Sequence, residues 1–265
     1  MHVRVLAWVT VFGVGALPGP AQAQRTGDQA RLIFTVSGGF VGGKDLWLVN
    51  AQPAQVTTPA DTLALSRSIR PTLTIGFEGT YFPSEHIGLA VDGFLVGLGF
   101  EDSCRVTFPS GSSDVANACQ SIQGAKKVAT SVVLSAGPVF RLNSRALIST
   151  YARGSAGVVF STQSPLGTVG HFETQAGLAD LIIYSDDHES RVEPAFALGA
   201  GFTAAIAAGY QLRWEVRDNI VGVQRVTGPI PQAGGIPPHR LDYKHLFSMM
   251  IGFDVVLERR RGKRY

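Results

Sequence analysis

Bulky apolar residues recur at every second position through most of this chain. In TLTIGFEGTYF, Thr72 to Phe82, the residues Leu73, Ile75, Phe77 and Tyr81 alternate with Thr74, Gly76, Glu78 and Thr80. A period of two places the two sets on opposite faces of an extended strand. Eight such segments follow one another, over residues 31–41, 68–82, 86–100, 126–142, 145–161, 192–206, 210–226 and 241–258. The turns at 83–85, 143–144 and 207–209 are short, whereas the connections 42–67, 101–125, 162–191 and 227–240 are long. Short and long connections alternate strictly. That order predicts an all-β, eight-stranded, up-and-down antiparallel barrel with every short turn at one end. The stretch AFALGAGFTAAIAAGY (195–210) is the weakest strand signal, because alanine favours helix. Its glycines oppose a helix interior, and Phe196, Leu198, Phe202 and Ile206 share one parity.

Alternation is symmetric and does not say which face meets water; side-chain volume does. An eight-stranded barrel has an interior that side chains just fill. One parity set is bulky and almost free of charge, including Phe77, Leu89, Val91, Leu134, Phe196, Trp214, Phe247, Met249 and Ile251. The other is small and polar, including Thr74, Gly76, Ser131, Ser135, Ala197 and Gly252. Its larger members are charged: Arg70, Glu78, Asp92, Arg141, Arg145, Arg153, Glu193, Arg213, Glu215, Arg217, Lys244, Asp254 and Glu258. The bulky set is too large for such a lumen, so it is assigned to lipid and the charged set to a lumen network paired across the axis. This is a transmembrane β-barrel, in which every backbone group pairs within a closed sheet. The soluble alternative is a cup with the bulky set inside.

The ends agree with export. MHVR, an apolar run over residues 5–17 and PGPAQA read as a signal peptide, residues 1–23. That run is shorter than the ~20 residues a spanning helix needs. Residues 24–265 then form the barrel domain. A formal net charge of +3 gives no case for nucleic acid. Thirty-one glycines with only 16% charged residues argue against disorder and against an ordinary helical domain. Cys104 and Cys119 lie in one long connection, and in an exported chain a disulfide there is the expected reading.

The hairpins GFEGTYFPSEHIGLAVDG, AGPVFRLNSRALISTYARG and GAGFTAAIAAGYQLRWEVRD each lead a glycine-containing strand through a tight turn into a strand with an inward charge. In this the chain resembles the small eight-stranded outer-membrane barrels of Gram-negative-type bacteria, the OmpA/OmpX/opacity-protein-like group, over about residues 31–258. The resemblance implies an outer-membrane monomer with a structural or surface-interaction role. It implies outer-membrane lipids, lipopolysaccharide, the barrel-assembly machinery and a ligand of the loops as partners. Members of that group commonly end on an aromatic that closes the last strand; here FDVVLE is followed by RRRGKRY.

No catalytic set, metal site or cofactor site is expected. His245 and Ser248 are three apart, so a strand turns them to opposite faces. The acidic stretch SDDHES (185–190) fits no defined ligand spacing and reads as a solvated loop, with a divalent-cation site bridging lipopolysaccharide phosphates as the alternative. The remaining functional readings are a narrow pore, from the charged lumen, and a lipid-modifying barrel enzyme.

Overall fold

A computed structural model describes residues 29–54, 61–108, 113–161, 165–186 and 191–260. The expected signal peptide and the end of the basic tail lie outside these residues, as do Asp187, His188 and Glu189 of the acidic stretch. The elements are β1 (Gln29–Gly42), β2 (Asp45–Ala54), β3 (Asp61–Arg70), β4 (Thr72–Tyr81), β5 (Ile87–Phe108), α1 (Ser113–Ile122), β6 (Lys126–Arg141), β7 (Ile148–Ser161), β8 (Thr168–Thr174), β9 (Gly177–Tyr184), β10 (Arg191–Ala207), β11 (Tyr210–Val226) and β12 (His239–Arg260).

Eight of the strands close on themselves in the order β1–β4–β5–β6–β7–β10–β11–β12, and β12 returns to β1. Every pairing around the ring is antiparallel. Closure removes the sheet edges that would otherwise leave backbone groups unpaired. The first and last strands meet at Gln29↔Arg260, which brings both ends of the described chain to the short-turn end. The turn between β10 and β11 closes on Gly209, whose φ of 95° belongs to the left-handed region that glycine enters freely. The alanine-rich stretch is strand throughout its pairing with β7 and β11. The face chemistry is that of an inverted soluble protein. Phe77, Leu89, Val91, Leu134, Leu198, Phe247, Met249 and Ile251 are exposed, while Glu78, Asp92, Arg153, Arg217 and Asp254 are buried.

Two expectations need correcting. The long connections are not bare loops. Residues 42–67 carry β2 and most of β3, residues 101–125 carry the end of β5 and α1, and residues 162–191 carry the hairpin β8–β9. β3 lies between β2 and the upper part of β5, so the wall continues past the ring as a three-stranded flap. The second correction is at Pro71. Residues 68–82 read as one strand, but the ladder stops at Pro71, which has no N–H to give it. In β3 the odd positions Leu63, Leu65, Arg67 and Ile69 are buried; in β4 it is the even positions Thr74, Glu78 and Thr80. The inward parity therefore changes at the proline. Arg70 points out and pairs with Glu101, and Arg67 takes the inward place.

Candidate functional site

The centre of the lumen is an ion-pair lattice built by five strands. Inward parity on β4, β5, β7, β11 and β12 delivers Glu78, Asp92, Arg153, Arg213, Glu215, Arg217 and Asp254 to the axis, all buried. Arg153 bridges Glu78 and Asp92 through its two terminal nitrogens. Arg213 donates to Glu78 at 2.7 Å and pairs with Asp254 at 3.0 Å. Arg217 donates to Glu215 at 2.7 Å and to Asp92 at 3.3 Å. Hydroxyls complete the carboxylates: Thr35 donates to Asp254 at 2.7 Å, Ser135 to Asp92 at 2.8 Å and Tyr151 to Glu215 at 2.7 Å. The planar guanidinium suits such shared bridging, since its donors sit in a fixed fork. Phe94 fills the space above this layer. Its ring lies across from Gly76, where a Cβ would meet it at 2.2 Å, and 4.2 Å from the Arg217 guanidinium.

Charges buried within a wall whose outer face is aliphatic and aromatic admit one environment. The chain is a transmembrane β-barrel. Phe34, Phe40, Phe77, Ile251 and Phe253 form its lipid-facing belt, and Tyr81, Tyr210 and Tyr243 are exposed toward its ends, where amphipathic rings favour the membrane interface. Ile251 is 59% exposed in mid-belt. Ile251→Arg is expected to destabilise the inserted barrel by about 2–4 kcal/mol, whereas Ile251→Val leaves it nearly unchanged. Unfolding of the protein refolded into lipid vesicles measures both.

The other charges expected in the lumen divide. Arg141 is buried but stands apart, at the short-turn end of β6. Glu193 and Lys244 lie on the inward face near the opposite rim and do not reach the lattice. Glu193 accepts from Gln224 at 2.7 Å, and Lys244 sits 3.5 Å from Asp242. Arg145 lies in the turn before β7 and pairs with Glu85 at the surface, because that strand starts at Ile148 rather than at 145. Glu258 pairs with Arg31 in the open. His245 and Ser248 do turn to opposite faces: Ser248 is buried and accepts from Asn219, while His245 is exposed and pairs with Asp218 at 2.7 Å. Asp186 is held by Arg191 at 2.8 Å.

Above the lattice, the long connections fold into one apolar cap. Its core joins Leu46, Trp47, Leu63 and Leu65 of the flap, Val115 and Ile122 of α1, Ile183 and Tyr184 of β9, and Ile230. Residues from four connections are tied by a few buried polar groups. Arg67, 1% exposed, pairs with Asp102 and donates to the carbonyls of Pro165 and Gly167 at 2.6 and 2.8 Å. Trp47 donates its indole N–H to the same Pro165 carbonyl at 3.1 Å. Gln52 exchanges two hydrogen bonds with the backbone of Ile230, at 3.0 and 2.9 Å, and accepts from the Tyr184 hydroxyl at 2.9 Å. Burial pushes that phenol above its ordinary range. Neither Arg67 nor Gln52 was singled out from sequence. For Arg67 the available signal is DTLALSRSIR (61–70), a period-two run that begins inside the connection 42–67; Gln52 lies outside it.

Cys104 and Cys119 form a disulfide that fixes α1 to β5. Closing a loop of sequence separation 15 limits the unfolded chain by about 3 kcal/mol in the loop-entropy treatment. The paired Cys104→Ser, Cys119→Ser variant is expected to lose up to that amount from the cap with the barrel intact. Protease protection of residues 101–125, compared with and without reductant in the parent protein, checks it.

Several solved membrane barrels are similar at low identity. OprG from Pseudomonas aeruginosa is 12% identical with a TM-score of 0.49, over 90% of this chain and 100% of that one. Neisserial surface protein A is 7% identical with a TM-score of 0.43, over 87% and 99%. AlkL in lipid bilayers is 15% identical with a TM-score of 0.38, over 95% and 98%. No protein-family model matches the sequence, and no curated protein matches it at a significant level.

Proposed function

We propose that the protein is a monomeric, non-enzymatic outer-membrane barrel that displays a folded cap for interaction at the cell surface. The observation that carries this reading is the joining of four connections into a single buried core above a filled lumen. A connection that only links strands has no need of a core, whereas a rigid scaffold presenting ordered loops is a common way to build a recognition surface. Its lipid neighbours are the outer-membrane lipids, with lipopolysaccharide on the cap side, and it reaches the membrane through the barrel-assembly machinery. The loop ligand is extracellular. The pore reading is weakened by the same geometry, because an ion would have to cross both the cap and the arginine–carboxylate lattice. The lipid-modifying reading is weakened by the separation of His245 from Ser248.

The test uses whole cells and nanodiscs. The full protein is compared with a variant whose β8–β9 hairpin is replaced by a short turn, both checked for heat-modifiable gel mobility. Purified nanodiscs are applied to arrays of extracellular-matrix proteins and glycans. Binding that needs the hairpin is the expected outcome. Equal binding by both proteins, or stepwise conductance of the parent in planar bilayers, would refute the surface-interaction reading.

A further inference from the structure

We propose that the short-turn mouth of the lumen binds a small oxyanion, a carboxylate or phosphate group, between Arg141 and Gln211. A small cavity opens there beneath the lattice, lined by Arg141, Gln211, Thr80, Ser149, Tyr151 and Thr203. Arg141 is 5% exposed, and its guanidinium donates to two backbone carbonyls, Ala30 at 2.7 Å and Glu85 at 2.9 Å. It lies 3.5 Å over the Phe82 ring. Among the described residues no carboxylate lies at ion-pair distance from it, and that of Glu85 attracts it only from farther away. The Glu85 carboxylate is taken by Arg145 at 3.1 Å and by Ser144 at 3.1 Å.

A guanidinium that is buried and unmatched is costly, and the usual remedy is an anion. The other buried arginines of the lumen and cap show that remedy: Arg67, Arg153, Arg213 and Arg217 each hold at least one carboxylate. Arg141 is the exception among them, and it lines the cavity together with the paired Arg213. Gln211 supplies the second, independent observation. It is 7% exposed, on the inward face of β11, and its carboxamide makes no hydrogen bond to the described residues and opens onto the cavity. A carboxamide N–H and a guanidinium lining one cavity make a donor set for an oxyanion, and an oxyanion would satisfy both groups at once. The cavity is bounded on its outer side by Ala146 and Leu147 of the β6–β7 turn, so entry is from the short-turn side.

The experiment is a side-chain NMR titration of the full chain, 15N-labelled and folded in micelles. Sodium formate and sodium phosphate are added separately at constant ionic strength, with sodium chloride as the control. The expected result is a saturable shift of the Arg141 Nε–H and the Gln211 amide with formate, phosphate or both, well beyond that with chloride. Formate alone assigns a carboxylate site; phosphate alone assigns a phosphate site. Arg141→Gln is expected to weaken binding at least tenfold and Gln211→Leu several-fold. Shifts that do not saturate, shifts matched by chloride, or unchanged binding in the variants would overturn the proposal. If Arg141→Gln fails the heat-modifiability check, Gln211→Leu decides alone: weakened binding supports the site, and unchanged binding overturns it.

Discussion

Arg153→Met should destabilise the barrel by about 3–5 kcal/mol, the cost of removing one partner from a buried ionic cluster. Arg153 is the group that bridges Glu78 and Asp92 at the centre of the lumen. Methionine restores most of the volume and none of the charge, leaving two carboxylates to share Arg213 and Arg217. The barrel would be expected to fold slowly and to unfold at lower urea. The folded fraction can be read from the unboiled band on a gel. A second substitution, Glu78→Gln, removes part of the stranded charge and should return part of the loss when combined with Arg153→Met. A loss below about 1 kcal/mol in the single variant would mean that water, not Arg153, compensates those carboxylates.

Arg67→Met should produce a loss of similar size, about 3–5 kcal/mol, but in a different place. Arg67 holds Asp102 and the carbonyls of Pro165 and Gly167, all in the cap. Its removal takes the bidentate guanidinium away from a buried Asp102, beside Trp47 and Phe100, which flank Arg67. The expected result is fast protease cleavage and rapid amide exchange in the flap, α1 and the β8–β9 hairpin, with heat-modifiable mobility preserved. Unfolding of cap and barrel at one shared midpoint would show that the two are a single cooperative unit. The pair of variants thus separates the two closures of the lumen: one made of ion pairs inside the membrane wall, the other of apolar packing above it.

The barrel was legible because its code is local. Alternation marks strands, and the volume of each parity set picks the face, as Phe77 against Glu78 already shows on β4. Parity and volume together put the seven charges of the lattice on the inward face, though they put Arg145 and Glu258 there too. What parity could not reveal was an interruption that resets it. Parity read straight through Pro71 puts Arg70 on the inward face and Arg67 off it, the reverse of the structure. The cap was illegible for a further reason. Its strands are set by contacts between distant connections, such as Trp47 with Pro165, and no window of sequence contains both partners. Parity assigns Arg141 to the inward face, but the turning of the Glu85 carboxylate to Arg145 is something spacing does not encode.

The joints of the cap also fix an order of events in biogenesis. Gln52 meets Ile230 across 178 residues of chain, and Arg67 meets Gly167 across 100. The second contact needs the chain as far as the start of β8, and the first needs it as far as Ile230, beyond β11. Contacts of such long range come at the end of a folding reaction rather than its start. A sealed cap therefore requires the ring beneath it: the pieces from four connections pack into one core only where the strands that carry them stand side by side.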